Sequence, residues 1–185
     1  INSSLLIRKL QITTLLLLVL VAPVQLSKHY WPMFAHIFGI RVDYLAPTIY
    51  FTDLIVALFV VATIVNKSSR TKLMSLLRSI SLNVYIIYLT LMVGNIIISI
   101  NPLVTTLKWL KVIELIVLVL TISVTNLKKQ LPSIIKAFIY SLTIVSLIGI
   151  LQVIKGGSIG GVLYVLGERS FNTVSPAIAL FSIFG

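Results

Sequence analysis

Apolar residues along this chain gather into five long runs, parted by short gaps that hold most of its lysines and arginines. A bilayer core about 30 Å thick needs roughly 20 helical residues at about 1.5 Å each, and the runs come close to that length. They predict helices over 12–27, 47–65, 80–99, 105–124 and 134–154. The first follows Arg8 and Lys9 and is short enough to compete with a signal peptide, although Pro23 and Gln25 leave no small-x-small cleavage site. Pro47 is suited to a first helical turn, where its missing N–H costs nothing. Asn101 and Pro102 predict a tight turn between the third and fourth helices. The expected fold is all-α, a polytopic transmembrane bundle of about five helices with interfacial outer segments.

Composition agrees with that picture. The chain is 58% hydrophobic and 10% charged, with a mean hydropathy of +1.12, too little polar surface to clothe a water-soluble globule. The net charge of +11 would ordinarily raise nucleic acid as a partner. Here the basic residues sit between apolar runs rather than on a polar surface, and they read as topology signals. With no cysteine, disulfides and thiolate metal sites are excluded. His29 and His36 have only Asp43 as a nearby carboxylate, so neither a metal nor another cofactor is expected. The chain starts at Ile1 and stops at Gly185 inside an apolar stretch, which suits a piece of a longer protein truncated in its outer segment 155–185.

Lysine and arginine, assigned alternately to the two sides, give the orientation. Arg8, Lys9, Lys67, Arg70, Lys72, Arg78, Lys128, Lys129 and Lys136 fall on one side, nine in all; Lys28, Arg41, Lys108, Lys111, Lys155 and Arg169 make six on the other. The N-terminus is therefore expected in the cytoplasm and the segment from Lys155 onward outside. Residues 28–46 carry Tyr30, Trp31, Phe34, Phe38 and Tyr44, rings of the kind that lie at headgroup level. The outer segment 155–185 opens on Gly156, Gly157, Gly160 and Gly161 and then turns polar at Glu168, Arg169, Ser170, Asn172 and Thr173.

An ionisable group at the centre of a membrane helix costs about 2.5–3.5 kcal/mol and needs a partner or a purpose. Asp53 is either a structural contact, to a neighbouring helix or to Tyr50 or Thr52, or a functional acid. Lys111 and Glu114 stand three apart on one helical face, as an ion pair would, and with Lys108 they could instead line an outward cavity that attracts an anionic headgroup. Arg169, between glycines and polar residues, offers paired donors suited to phosphate oxygens, or a salt bridge to Glu168 or Asp43. Arg41 and Asp43 form a similar short pair. No Walker A loop, His-Glu-x-x-His or nucleophile elbow is present, which sets aside ATP hydrolysis and metalloprotease chemistry for this segment.

Two stretches carry a resemblance. Gly39-Ile40-Arg41-Val42-Asp43-Tyr44-Leu45-Ala46-Pro47-Thr48-Ile49-Tyr50-Phe51-Thr52-Asp53 is one; Leu166-Gly167-Glu168-Arg169-Ser170-Phe171-Asn172 with Ser175-Pro176-Ala177-Ile178-Ala179 is the other. With the hydropathy pattern of most of the chain, they resemble the N-terminal half of bacterial O-antigen ligase and polymerase-like membrane proteins. The resemblance implies an inner-membrane glycosyltransferase of lipopolysaccharide and cell-envelope polysaccharide biosynthesis. It would move a glycan from undecaprenyl pyrophosphate to an acceptor glycan or glycolipid at the outer face, without nucleotide sugar or metal. Arg169 and, more weakly, Arg41 carry over as pyrophosphate contacts; Asp53, Lys111 and Glu114 fit as structural polar groups. The catalytic residues of such a protein would lie beyond Gly185, and this segment alone would be inactive. A transporter or flippase fragment using Asp53 and Glu114, and a non-enzymatic membrane subunit, are the competing expectations.

Overall fold

The computed structural model describes residues 3–24, 26–161 and 163. Among them are six α-helices: α1 (Ser3–Val21), α2 (Phe51–Val65), α3 (Lys67–Ser79), α4 (Leu82–Ile98), α5 (Pro102–Ser123) and α6 (Leu127–Lys155). Between α1 and α2 run four short strands, β1 (Ser27–His29), β2 (His36–Ile37), β3 (Ile40–Arg41) and β4 (Thr48–Tyr50). The fold is mostly helical, as expected.

Local chemistry explains where the helices begin and end. Helix α1 stops at Val21, two residues short of Pro23, because the residue before a proline is pushed out of the helical region. The expected continuation to Ser27 is replaced by a turn and strand β1. Pro47 does not open a helix. Thr48, Ile49 and Tyr50 take the extended form that β-branched and aromatic residues favour, β4 pairs with β1, and α2 starts at Phe51. The expected turn at Asn101-Pro102 is the start of α5 itself: the Asn101 side chain accepts the Val104 N–H at 3.3 Å and Pro102 takes the first turn. Ser81 caps α4 in the same manner through the Asn83 N–H. Helix α6 begins seven residues before the expected start and runs through Pro132. It ends in a Schellman motif, with Gly157 N–H donating to Gln152 O and Gly156 N–H to Val153 O, each at 3.2 Å. Gly156 sits at φ 67, where a glycine avoids the Cβ clash.

Helix α3 was not expected; its residues were read as an inner loop. The α2 and α3 axes meet at 97°.

The chain forms two compact units. One comprises Ile1–Arg8, His29–Thr48 and Val60–Asn126. Within it, α4 and α5 form an antiparallel hairpin: Ser99 and Thr105 share a hydroxyl hydrogen bond, Trp109 Nε1 donates to Asn95 Oδ1 at 3.3 Å, and the Tyr88 ring meets Trp109 edge-on. The β2–β3 hairpin pairs His36 with Arg41 and Ile37 with Ile40. Its two turn residues, Phe38 at φ 50 and Gly39 at φ 79, both hold the left-handed backbone that a tight hairpin needs. The other unit comprises Lys9–Lys28, Ile49–Phe59 and Leu127–Gly185. There α6 buries a stripe of Ser141, Val145, Gly149 and Gln152, and Ser141 Oγ donates to Leu20 O of α1 at 2.8 Å. The small Ser141 and Gly149 lie two turns apart on this stripe, where they let a neighbouring backbone approach.

One helix, α6, is long and apolar enough to cross a bilayer; α2 with α3 would add a second only if the bent pair counts as one span. Only 22% of the apolar window of α6 is buried, where the core helix of a soluble protein would be mostly covered. Helix α4 is apolar on all sides and buries none of its residues. Helix α5 has the length but carries Lys108, Lys111 and Glu114 within it.

Candidate functional site

The charged face expected on α5 is present. Lys111 Nζ donates to Glu114 Oε2 at 3.1 Å, the local ion pair that three-residue spacing anticipated. The side chains are 42% and 27% exposed, so the pair is reachable from outside. One turn earlier, Lys108 Nζ lies 5.9 Å from the centre of the Tyr44 ring, within the range of a cation–π contact. Tyr44 stands on the short turn Asp43–Leu45, which brings its ring to Lys108 of α5. The result is one ammonium group at an exposed ring, with the Lys111–Glu114 pair one turn further along the helix. Such a face attracts an anion while the ring offers a surface for apolar or sugar groups.

Asp53 has a definite structural task. It occupies the third position of α2, and its Oδ2 accepts the Tyr50 N–H at 2.8 Å, the return half of a capping box. Its negative charge also complements the positive end of the helix. It thus lies in the first turn, shallower than a helix starting at Pro47 would put it. Replacing Asp53 with Ala removes both effects and should lower stability by about 1 kcal/mol, with Asn recovering part of it. Thermal unfolding of the purified protein in one detergent measures both variants.

A second cluster was missed in the sequence. Trp31 lies between the two histidines, its ring centre 5.8 Å from His29 in a stacked arrangement and 6.4 Å from His36 edge-on. Thr48 donates its hydroxyl proton to Ala46 O, so His29 Nδ1, 2.9 Å away, donates to Thr48 Oγ1. His36 Nδ1 faces Pro32 O at 3.1 Å and must also donate. These contacts tie the residues between β1 and β4 together. The alternation of His, Trp and Tyr in 28–36 was the available signal, but it does not reveal Thr48 as the partner. Among the described residues no three His, Asp or Glu side chains converge as a metal site would require.

Arg41 falls on β3 opposite His36, and Asp43 opens the turn that carries Tyr44. Arg169 and Glu168 lie outside the described residues. No family model, curated protein or solved structure matches the chain.

Proposed function

We propose that the chain is the N-terminal portion of a polytopic inner-membrane glycosyltransferase of the O-antigen ligase or polymerase type, acting at the outer face on a glycan carried by undecaprenyl pyrophosphate. The observation that supports it best is the contact of the exposed Lys108 with the exposed Tyr44 ring, one turn from the Lys111–Glu114 pair. Tyr44 belongs to one of the two stretches that carry the resemblance. An anionic lipid headgroup with sugars attached matches both halves of the face, charge for the phosphates and ring for the glycan. The bilayer setting is supported by α4, an apolar helix that leaves most of its large apolar side chains exposed, and by the thinly buried α6. In this reading α1, α2, α4, α5 and α6, which take up most of the five expected spans, cross the bilayer. The N-terminus is cytoplasmic, and the residues from Lys155 onward are outside.

Arginines would hold the pyrophosphate leaving group and stabilise the charge that grows on it as the sugar departs, while a base activates the acceptor hydroxyl. Arg169 is the first candidate for that contact and Arg41 the second. A transport role is less well supported, because Asp53 is engaged in capping and Glu114 in an ion pair, whereas an ion relay needs carboxylates that change partners.

The test is Arg169→Lys in the full-length protein. Lysine keeps the charge but loses the paired planar donors, so transfer should fall roughly 10- to 100-fold with normal membrane insertion. Unchanged transfer would remove Arg169 from the mechanism.

A further inference from the structure

Helix α3 is amphipathic, basic and too short to cross a membrane: its 13 residues span about 20 Å. Ser69 is buried and Leu73, Leu76, Leu77 and Ile80 are half-buried, a single face at three- and four-residue spacing that turns inward. Tyr85 Oη, from the start of α4, donates to Leu77 O at 3.1 Å and fastens the end of the helix. Lys67, Arg70, Lys72 and Arg78 are all exposed. By helical geometry Arg70 and Lys72 border the apolar face on its two sides, and Lys67 and Arg78 stand opposite it. The sequence holds no Asp or Glu between Asp53 and Glu114, so nothing acidic in this stretch balances the four charges.

We infer that α3 lies in the membrane surface and docks anionic phospholipid headgroups through Arg70 and Lys72. The inference rests on the membrane reading above. If α2 runs through the bilayer, a turn of 97° lays α3 along the surface, with its apolar face toward the hydrocarbon and the protein. The two bordering residues then stand at the depth of the lipid phosphates, where long stems can snorkel to meet them. Lys67 and Arg78 point to the water side and add to the general attraction only. Each basic residue held near an anionic surface is worth about 1 kcal/mol, which is about a fivefold preference.

The experiment uses the full chain in nanodiscs of phosphatidylcholine with a minority of phosphatidylglycerol, released for native mass spectrometry. An alkaline carbonate wash of vesicles carrying the chain is run beside it. Phosphatidylglycerol should be retained at least about fivefold above its bulk share, and 1 M salt should abolish the preference. R70Q/K72Q should remove it, K67Q/R78Q should leave most of it, and R70K/K72R, which preserves both charges, should restore it. Equal retention of the two lipids would leave the face to an acidic protein or another polyanion and overturns the inference. So does a preference unchanged in R70Q/K72Q or lost in R70K/K72R. A chain that the carbonate wash strips from vesicles overturns the membrane reading itself, and the two failures are told apart by that wash.

Discussion

Lysine in place of Ile87 should cost about 2.5–3.5 kcal/mol of membrane insertion, roughly 60- to 300-fold in the equilibrium, because the site is mid-helix and exposed on α4. The opposite result is just as definite. In water, an exposed isoleucine replaced by lysine changes stability by no more than about 0.5 kcal/mol and improves solubility. A glycosylation-mapping or protease-protection assay of α4 insertion therefore separates the two solvents with one substitution. Ile86, Leu89 and Leu91 are turned outward on α4 as Ile87 is, so the same contrast is expected at each of them.

Phe59→Ala should have the other large effect. Phe59 is fully buried in the stripe that α2 presents with Ile55, Val56, Ala62 and Thr63. In a water-soluble core such a truncation costs about 3–5 kcal/mol, a transfer part plus a cavity part. If α2 lies in lipid, as proposed, the transfer part shrinks because the unfolded helix is already in an apolar solvent, and the lost packing contacts remain. The expected loss is therefore near the lower end of that range, read as reduced thermal stability in detergent, with Phe59→Leu recovering more than half.

Much of the helical layout was legible because its signals are local. The apolar run at 80–99 became α4, and those at 105–124 and 134–154 lie almost wholly within α5 and α6, bounded by caps at Ser81 and Asn101. The Lys111–Glu114 pair followed from spacing alone. Two kinds of information were hidden. Thr48–Tyr50 is a strand because β1, some twenty residues earlier, is there to pair with it, and nothing within 47–65 announces a partner that remote. Helix α3 was passed over for a different reason. Its lysines and arginines served as topology markers, and the apolar spacing of Leu73, Leu76, Leu77 and Ile80 beneath them went unused. At the site, Tyr50 was one of several partners open to Asp53, and α2 starts four residues later than Pro47, which puts Asp53 in its first turn. The contact of Tyr44 with Lys108 joins residues 64 apart, a distance over which a single sequence carries no pairing signal.

The orientation of the chain in a bilayer is the claim on which the lipid and glycan chemistry depends, and the absence of cysteine makes it directly measurable. Single cysteines at Ser158 and at Ser68 can be exposed to a membrane-impermeant maleimide in intact cells. The account predicts that Ser158→Cys is labelled at once and Ser68→Cys only after permeabilisation. Labelling of Ser68→Cys in intact cells, with Ser158→Cys protected, would contradict it.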